Sequence, residues 1–396
     1  MISSFRNFLN TWRKHKEFAK SSEDWRRLVI YSEGQQDWPH IGPMVQEFLE
    51  MNPSEKVSYL SSEERDPGLN FKHDRYKSFY IGDGMTRTVF FRTLRAKLLL
   101  MTLTDLNVFF LKRSAAYPVH YVYCFHSINS THTVYREQAF QFYDTLLCVG
   151  PHHVRELRKE EELKNLKPRK LLEHGSIKLD TVLDDYKDFR DHLPDSSSPL
   201  ILLAPSWGAG SFAENPDLIR SIIRKIVENN WCCRLRLHPM TVRRFPDLIK
   251  TLEADFSIYV QKDLFKVEDN LNDNSSLRDA AVMVSDWSGA ATEFAFGLER
   301  PVLFINTPQK INNPNWEAFG FPGLEDTVRK EIGVVVDPSE IDTITDQLKI
   351  LVQNAGSYKE KIQKSREANI FNVGRSCSVG AKNLSELLTS VKEQTD

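Results

Sequence analysis

The sequence predicts an α/β protein made of two doubly wound, Rossmann-like domains of similar size that face each other across a cleft. Three observations predict it. Short apolar runs alternate with helix-like segments nearly throughout, as in parallel sheets with crossover helices. One stretch, Asp185–Pro199, is rich in Asp, Ser and Pro and poor in apolar residues, the composition of a linker. The chain has 396 residues, enough for a separate core on each side of that linker. The expected domains are therefore 1–190 and 199–396.

In the first half, the runs Leu28–Tyr31, Val57–Leu60, Ser78–Ile81, Leu98–Leu103, His120–Phe125 and Thr145–Val149 read as strands. After the linker, Leu200–Ala204, Cys232–Leu237, Ser257–Val260, Ala281–Ser285, Val302–Ile305 and Gly333–Val336 form a second series. Helices should fill Asp217–Asn229, Gly289–Leu298, Ser339–Gln353 and Val379–Val391. No repeat at a fixed period is present. In sheets of this kind ligands bind outside the carboxyl ends of the strands, which directs attention to the loops that follow them.

Composition narrows the functional classes. An apolar fraction of 41% and a charged fraction of 27% describe an ordinary globular protein, and a net charge of −2 gives no global basicity to argue for nucleic acid. Cys124, Cys148, Cys232, Cys233 and Cys377 show no CxxC spacing and read as reduced core thiols of a cytoplasmic protein, neither a disulfide framework nor a metal site. No stretch reaches the ~18 uninterrupted apolar residues of a membrane span. Over residues 1–20, Ile2, Phe5, Phe8, Leu9 and Trp12 follow helical spacing while Arg6, Arg13, Lys14, Lys16 and Lys20 make the segment basic. Such a helix suits peripheral attachment to an anionic membrane surface, and equally packing on its own domain. The segment from Arg87 to Lys97, with Arg92 and Arg95, carries the same two readings.

Four strand ends hold the residues that could carry chemistry. Ala281–Ser285 leads into Asp286-Trp287-Ser288-Gly289 and then a helix, so unpaired amide N–H groups and the positive end of a helix dipole meet at a strand's carboxyl end. Gly289 lets a phosphate approach the backbone, Ser288 adds a hydroxyl, and Glu293 lies in the following helix. The plainer reading is an ordinary turn capped by Ser288. Ser206-Trp207-Gly208-Ala209-Gly210-Ser211 follows the first strand of the second half: its small residues admit a ligand, and Trp207 could stack on a base or sugar. It lacks the Lys-Ser/Thr ending of a P-loop, and no GxGxxG fingerprint occurs, which argues against ATP hydrolysis and hydride transfer.

Arg234, Arg236 and His238 alternate onto one face of a strand that ends in His238-Pro239. Arg236 offers a planar fork to a diphosphate, and His238 a hydrogen bond or a proton for a departing phosphate; a half-exposed edge with solvated arginines is the alternative. In the first half, His126 ends the run His120–Phe125 and opens a polar stretch. Its unperturbed pKa of ~6.5 suits a base for an attacking hydroxyl, whereas a strand-end histidine bonded to a carbonyl is the plainer reading. His132, His152 and His153 fall in helical segments, where surface or packing roles are expected.

These segments taken in order resemble the CDP-glycerol glycerophosphotransferases, which build teichoic acids and related surface polymers. The resemblance rests on Tyr121-Val122-Tyr123-Cys124-Phe125-His126, Phe142-Tyr143-Asp144, Ala204-Pro205-Ser206-Trp207, Arg236-Leu237-His238-Pro239 and Ser285-Asp286-Trp287-Ser288-Gly289, and runs from about Leu98 to Leu388. It implies a GT-B architecture with an N-terminal acceptor-side domain and a C-terminal nucleotide-donor domain. It also implies no cofactor, no metal requirement, and transfer of a polyol phosphate from a CDP-linked donor to a glycan or lipid-linked acceptor; the membrane reading of the basic segments would put a cytoplasmic protein on the inner face of the cell membrane. His126 would be the base, with His238 the second catalytic histidine. Ser206, Trp207, Arg236, Asp286, Ser288, Gly289 and Glu293 would bind the donor. The chain departs from the family pattern at Gly289, where a serine is usual, at Glu293, where an aspartate is common, and at Ser127, where Gly follows the histidine. His174–Asp180 also lacks the family's Pro-Arg pair. These departures leave open a sugar transferase of capsule or lipopolysaccharide assembly using a UDP- or CMP-sugar, a nucleotide-sugar isomerase, and a non-catalytic nucleotide- or glycan-binding scaffold.

Overall fold

The computed structural model describes residues 2–190, 198–268 and 273–391, with the side chains of its first helix described from Thr11 onward. The chain forms two compact units. One comprises Met1–Ser127, Tyr135–Asp180 and Ile370–Asp396, the other Ile128–Val134 and Thr181–Asn369.

The first unit is built on a seven-stranded parallel sheet: β1 (Leu28–Ser32), β2 (Val57–Ser61), β3 (Tyr76–Tyr80), β4 (Leu98–Met101), β5 (His120–Cys124), β6 (Thr145–Cys148) and β7 (Lys170–Glu173), in the order β3-β2-β1-β4-β5-β6-β7. The central strands are buried on both faces, which is why they appear in the sequence as continuous apolar runs with no alternation. β7 was not expected from the sequence: Lys170–Glu173 has only two apolar residues, and its place at the sheet edge asks for no more. One core cluster joins Ile41, Met44 and Phe48 of the helix Trp38–Met51 with Ala381, Leu384 and Leu388 of the helix Ser376–Ser390 over Leu28, Leu98 and Val122. The last helix therefore belongs with the first unit, whereas the sequence reading kept all of 199–396 together.

The second unit holds β8 (Leu200–Leu203), β9 (Cys232–Leu235), β10 (Phe265–Val267), β11 (Val282–Ser285), β12 (Val302–Ile305) and β13 (Gly333–Val336), all parallel, in the order β10-β9-β8-β11-β12-β13. The strand expected at Ser257–Val260 is instead a short helix, Ser257–Gln261. Its β-branched run is mostly solvent-facing, with Ile258 64% exposed, while Phe256 and Phe265 on either side are buried. The strand forms where the burial is, at β10. The helix expected from Ser339 is split, a 3₁₀ turn over Pro338–Thr343 leading into an α-helix over Ile344–Gln353. Of the expected linker, residues 191–197 lie outside the described residues.

Both sheets reverse their winding beside their first strand, between β1 and β4 and between β8 and β11. Such switch points open crevices at the carboxyl ends of the strands. Among the described residues no helix is long and apolar enough to cross a membrane.

Candidate functional site

The switch point of the second unit is held by Asp286, the residue that follows β11. Its buried carboxylate accepts the Ser206 N–H at 2.7 Å and the Phe212 N–H at 3.3 Å, clamping the loop that follows β8. Ser285 Oγ, donating to the Ala204 carbonyl at 2.7 Å, adds a second tie across the same two strands. The loop itself needs its glycines: Gly208 and Gly210 have φ of 103° and 106°, where a side chain would be strained. Ser211 Oγ donates to the Ser206 carbonyl at 2.8 Å, and the Gly208 N–H donates to Glu214 Oε1 at 2.9 Å, so the turn is closed from within.

This clamped loop presents Trp207 to two further strand ends. The His238 ring lies beside it at 5.7 Å and 27°, close to parallel, and Lys310 Nζ sits 3.3 Å from the indole centroid. His238 caps the helix Pro239–Arg244 by accepting the Met240 N–H on Nδ1 at 3.1 Å. A neutral imidazole with Nδ1 accepting carries its proton on Nε2. Burial, then the Lys310 charge, holds the His238 pKa below its ordinary value, so this neutral form prevails near pH 7. Burial, followed by the Arg244 charge, also lowers the Lys310 pKa. The three side chains thus offer an aromatic face, an ammonium and an imidazole N–H in one place.

The helix Gly289–Leu298 starts where the sequence places it. Ser288 is its N-cap, accepting the Ala290 N–H at 3.3 Å. A Cβ on Gly289 would stand 3.1 Å from Asn129 Oδ1, so the amide side chain of Asn129 lies directly against the helix start. Trp287 turns away and donates from Nε1 to the Thr307 carbonyl at 2.6 Å, with the Arg329 guanidinium 4.0 Å from its ring centroid. Burial lowers the Arg329 pKa to about 10 despite the opposing pull of Asp326, Asp286 and Asp337. Glu293 lies half-buried in the same helix. Arg236 is engaged elsewhere: it pairs with Glu268 at 2.9 Å and donates to the Asp273 carbonyl at 2.7 Å.

In the first unit, His126 follows β5, half-buried, with its ring 5.6 Å from that of His40. His40 belongs to the helix after β1, and burial, then the charges of His126 and Lys178, pushes its pKa down to about 3. His126 therefore has a neutral imidazole for a neighbour. His153 packs tilted against Phe125 at 4.0 Å between rings, and in the second unit His132 packs on Phe319 and Phe321 at 4.8 and 5.2 Å, the packing roles expected of them.

The structure thus brings Ser206, Trp207 and His238 together, makes Asp286 the fastening of their loop, and sets Ser288 and Gly289 at a helix start beside Asn129. Two residues were missed in the sequence: His40 and Lys310. Lys310 lies in the loop that follows β12 and His40 in the first turn of the helix that follows β1, which was the available signal. Among the described residues no group of three or more His, Cys, Asp or Glu side chains could hold a metal, and all five cysteines are free.

No family model matches the sequence, and no curated protein does. Solved structures do match the fold. The wall teichoic acid polymerase TagF aligns over 99% of this chain and 100% of its own, with a TM-score of 0.60 and 15% identity. A putative UDP-N-acetylglucosamine 2-epimerase from Listeria monocytogenes covers 94% of this chain and 98% of its own, at 0.59 and 13%. A glycosyltransferase from Rickettsia africae covers 94% and 100%, at 0.55 and 11%. The chain has the two-sheet, GT-B-like α/β fold of these proteins, teichoic acid polymerase among them.

Proposed function

We propose that the chain is a metal-independent transferase that moves a polyol phosphate, of the glycerol phosphate kind, from a CDP-linked donor to a hydroxyl of a surface-glycan or lipid-linked acceptor. The observation that carries the reading is the cluster of Trp207, His238 and Lys310 at the strand ends of the second unit. An indole face suits a base or sugar, and the ammonium and the Nε2–H suit the phosphates next to it. The match to TagF, of which one variant was solved after a CDPG soak, supports a donor of this class.

In the reaction we envisage, a base takes the proton of the acceptor hydroxyl as its oxygen attacks the phosphorus next to glycerol. The bond from that phosphorus to the bridging oxygen breaks, and CMP departs with the negative charge. His126 is the base, and its neutral neighbour His40 adds no positive charge to lower its basicity. His238 donates a hydrogen bond from Nε2 and Lys310 a charge to the departing phosphate. Ser206, Ser288 and Gly289 line its approach, Glu293 faces the ribose end, and Asp286 positions the loop. Arg236 would reach the donor only by sharing or leaving Glu268. One hydrogen-bond donor aimed at developing charge is worth ~3 kcal/mol in such sites.

A sugar transferase using a UDP- or CMP-sugar is the second reading, favoured by the glycosyltransferase and epimerase matches at comparable TM-scores. Calorimetric binding of CMP, CDP-glycerol, UMP and GMP to the full chain separates the two. Cytidine selectivity supports the polyol-phosphate transferase, while preference for uridine moves the protein to the sugar transferases. Binding of none would favour a scaffold.

A further inference from the structure

The amino ends of β1 and β4, at the opposite end of the first sheet from His126, hold a cavity of about 140 Å³ lined by Glu23, Arg26, Arg27, Arg95, Lys97 and Tyr117. Each strand is entered through a cation. Leu28 pairs with Leu98, so Arg27 and Lys97, the residues just before them, fall at the same level of the sheet. The backbone holds these cations together. The Lys97 N–H donates to the Arg26 carbonyl at 2.9 Å, the His120 N–H donates to the Lys97 carbonyl at 3.0 Å, and Ser114 Oγ donates to the Leu94 carbonyl at 2.8 Å.

The charges of Arg26 and Arg95 are not balanced from within. Glu55 takes Arg27 through two bonds of 3.0 Å, and Glu23 is the one acid in the lining. Among the described residues Arg26 and Arg95 have no ion-pair partner, and Nε of Arg26 is buried without an acceptor. A buried N–H with nothing to accept from it destabilises the fold until something does. Guanidinium forks match the geometry of phosphate oxygens, and like charges held together by a fixed backbone favour an anion between them.

We propose that this cavity binds a phosphate-class anion through Arg26, Arg95 and Lys97. The site is separate from His126, because the four residues of β4 place about 13 Å of strand between it and the carboxyl end of the first sheet. The phosphate has two sources. A second cavity of about 370 Å³, lined by Trp12, Phe18, Phe90 and Leu94 among others, shares Arg95 with the first, so a lipid headgroup with its chain alongside is one source. A soluble phosphate or pyrophosphate group is the other.

The test titrates pyrophosphate calorimetrically into the full chain, its Arg26→Gln/Arg95→Gln variant and a Lys310→Ala variant. It also measures co-sedimentation with phosphatidylcholine vesicles with and without phosphatidylglycerol. We expect the double variant to bind pyrophosphate at least tenfold more weakly, with Lys310→Ala retaining this site. The Arg26→Lys/Arg95→Lys variant, which keeps the charge and loses the forks, should fall between, and a matching thermal unfolding midpoint shows that it folds. Vesicle binding that needs phosphatidylglycerol and is lost in Arg26→Gln/Arg95→Gln assigns the headgroup, whereas pyrophosphate binding without it assigns a soluble phosphate. Equal pyrophosphate affinity and equal vesicle binding in wild type and Arg26→Gln/Arg95→Gln would overturn the proposal.

Discussion

Asp286 and Ser206 are joined across the switch point of the second sheet by a 2.7 Å hydrogen bond from the Ser206 N–H to Asp286 Oδ1. With the Phe212 N–H on its other oxygen, the carboxylate does for the loop after β8 what a ladder bond does for a strand. Replacing Asp286 by Ala leaves the buried Phe212 N–H and the half-buried Ser206 N–H with no acceptor. Hydrogen bonds to a charged group contribute about 1.5–3 kcal/mol each, and the 3.3 Å bond lies at the weak end of that range. Urea unfolding of Asp286→Ala should show a loss of about 2–4 kcal/mol, and Asp286→Asn, which keeps one acceptor oxygen, a smaller one. A change under about 0.5 kcal/mol would show that the loop does not depend on this clamp.

Lys310 over Trp207 gives a spectroscopic handle on the donor site. Lys310→Ala removes an ammonium 3.3 Å from the indole centroid and should weaken CDP-glycerol binding about tenfold, or ~1.4 kcal/mol. Lys310→Arg should recover most of it. Binding of CDP-glycerol should also change tryptophan fluorescence in wild type and not in Trp207→Phe. Equal affinity in wild type and Lys310→Ala would remove Lys310 from the donor site.

His126→Ala tests the assignment of the base. General-base catalysis contributes about 10²–10⁴-fold, so turnover should fall at least 100-fold while the donor dissociation constant stays within twofold. Retained turnover would sink the assignment and turn attention to His40, whose ring lies 5.6 Å away.

Much of this was readable from the sequence because burial on both faces writes itself as an apolar run. Val302–Ile305 and the helix Gly289–Leu298 fall where the pattern sets them, the latter because Ser288 is a good cap and Gly289 opens the first turn. The failures have one cause in common. Lys170–Glu173 is a strand through its edge pairing with β6, and Ile258–Val260 is helical although its residues favour strands, since neither outcome is decided by local composition. Side-chain partnerships were equally hidden. That Arg236 meets Glu268 depends on how the segments after β9 and β10 come together, and that Lys310 meets Trp207 depends on two glycines with positive φ.

The buried histidines of the first unit set its response to acid. Burial lowers the pKa of His174 to about 4, and burial with the His126 and Lys178 charges lowers that of His40 to about 3, both from an ordinary 6.5. Below pH 6.5 the unfolded chain gains protons on these groups that the folded chain does not, so stability is lost as pH falls through that window. Each histidine contributes a slope of up to ~1.4 kcal/mol per pH unit. Asp180 and Glu33, whose pKa values burial raises, act with the opposite sign at the acid end of the window, where the folded state keeps protons that the unfolded state sheds. The clean range is therefore about pH 5 to 6.5. Urea unfolding across it should show stability rising with pH. In His40→Gln the slope should fall by about one proton, because the glutamine cannot titrate in either state. An unchanged slope in that variant would mean that His40 titrates in the folded protein as it does in the unfolded chain, and so becomes charged as pH falls below about 6.5. In that acid range His126 would then have a charged neighbour, which would lower its basicity.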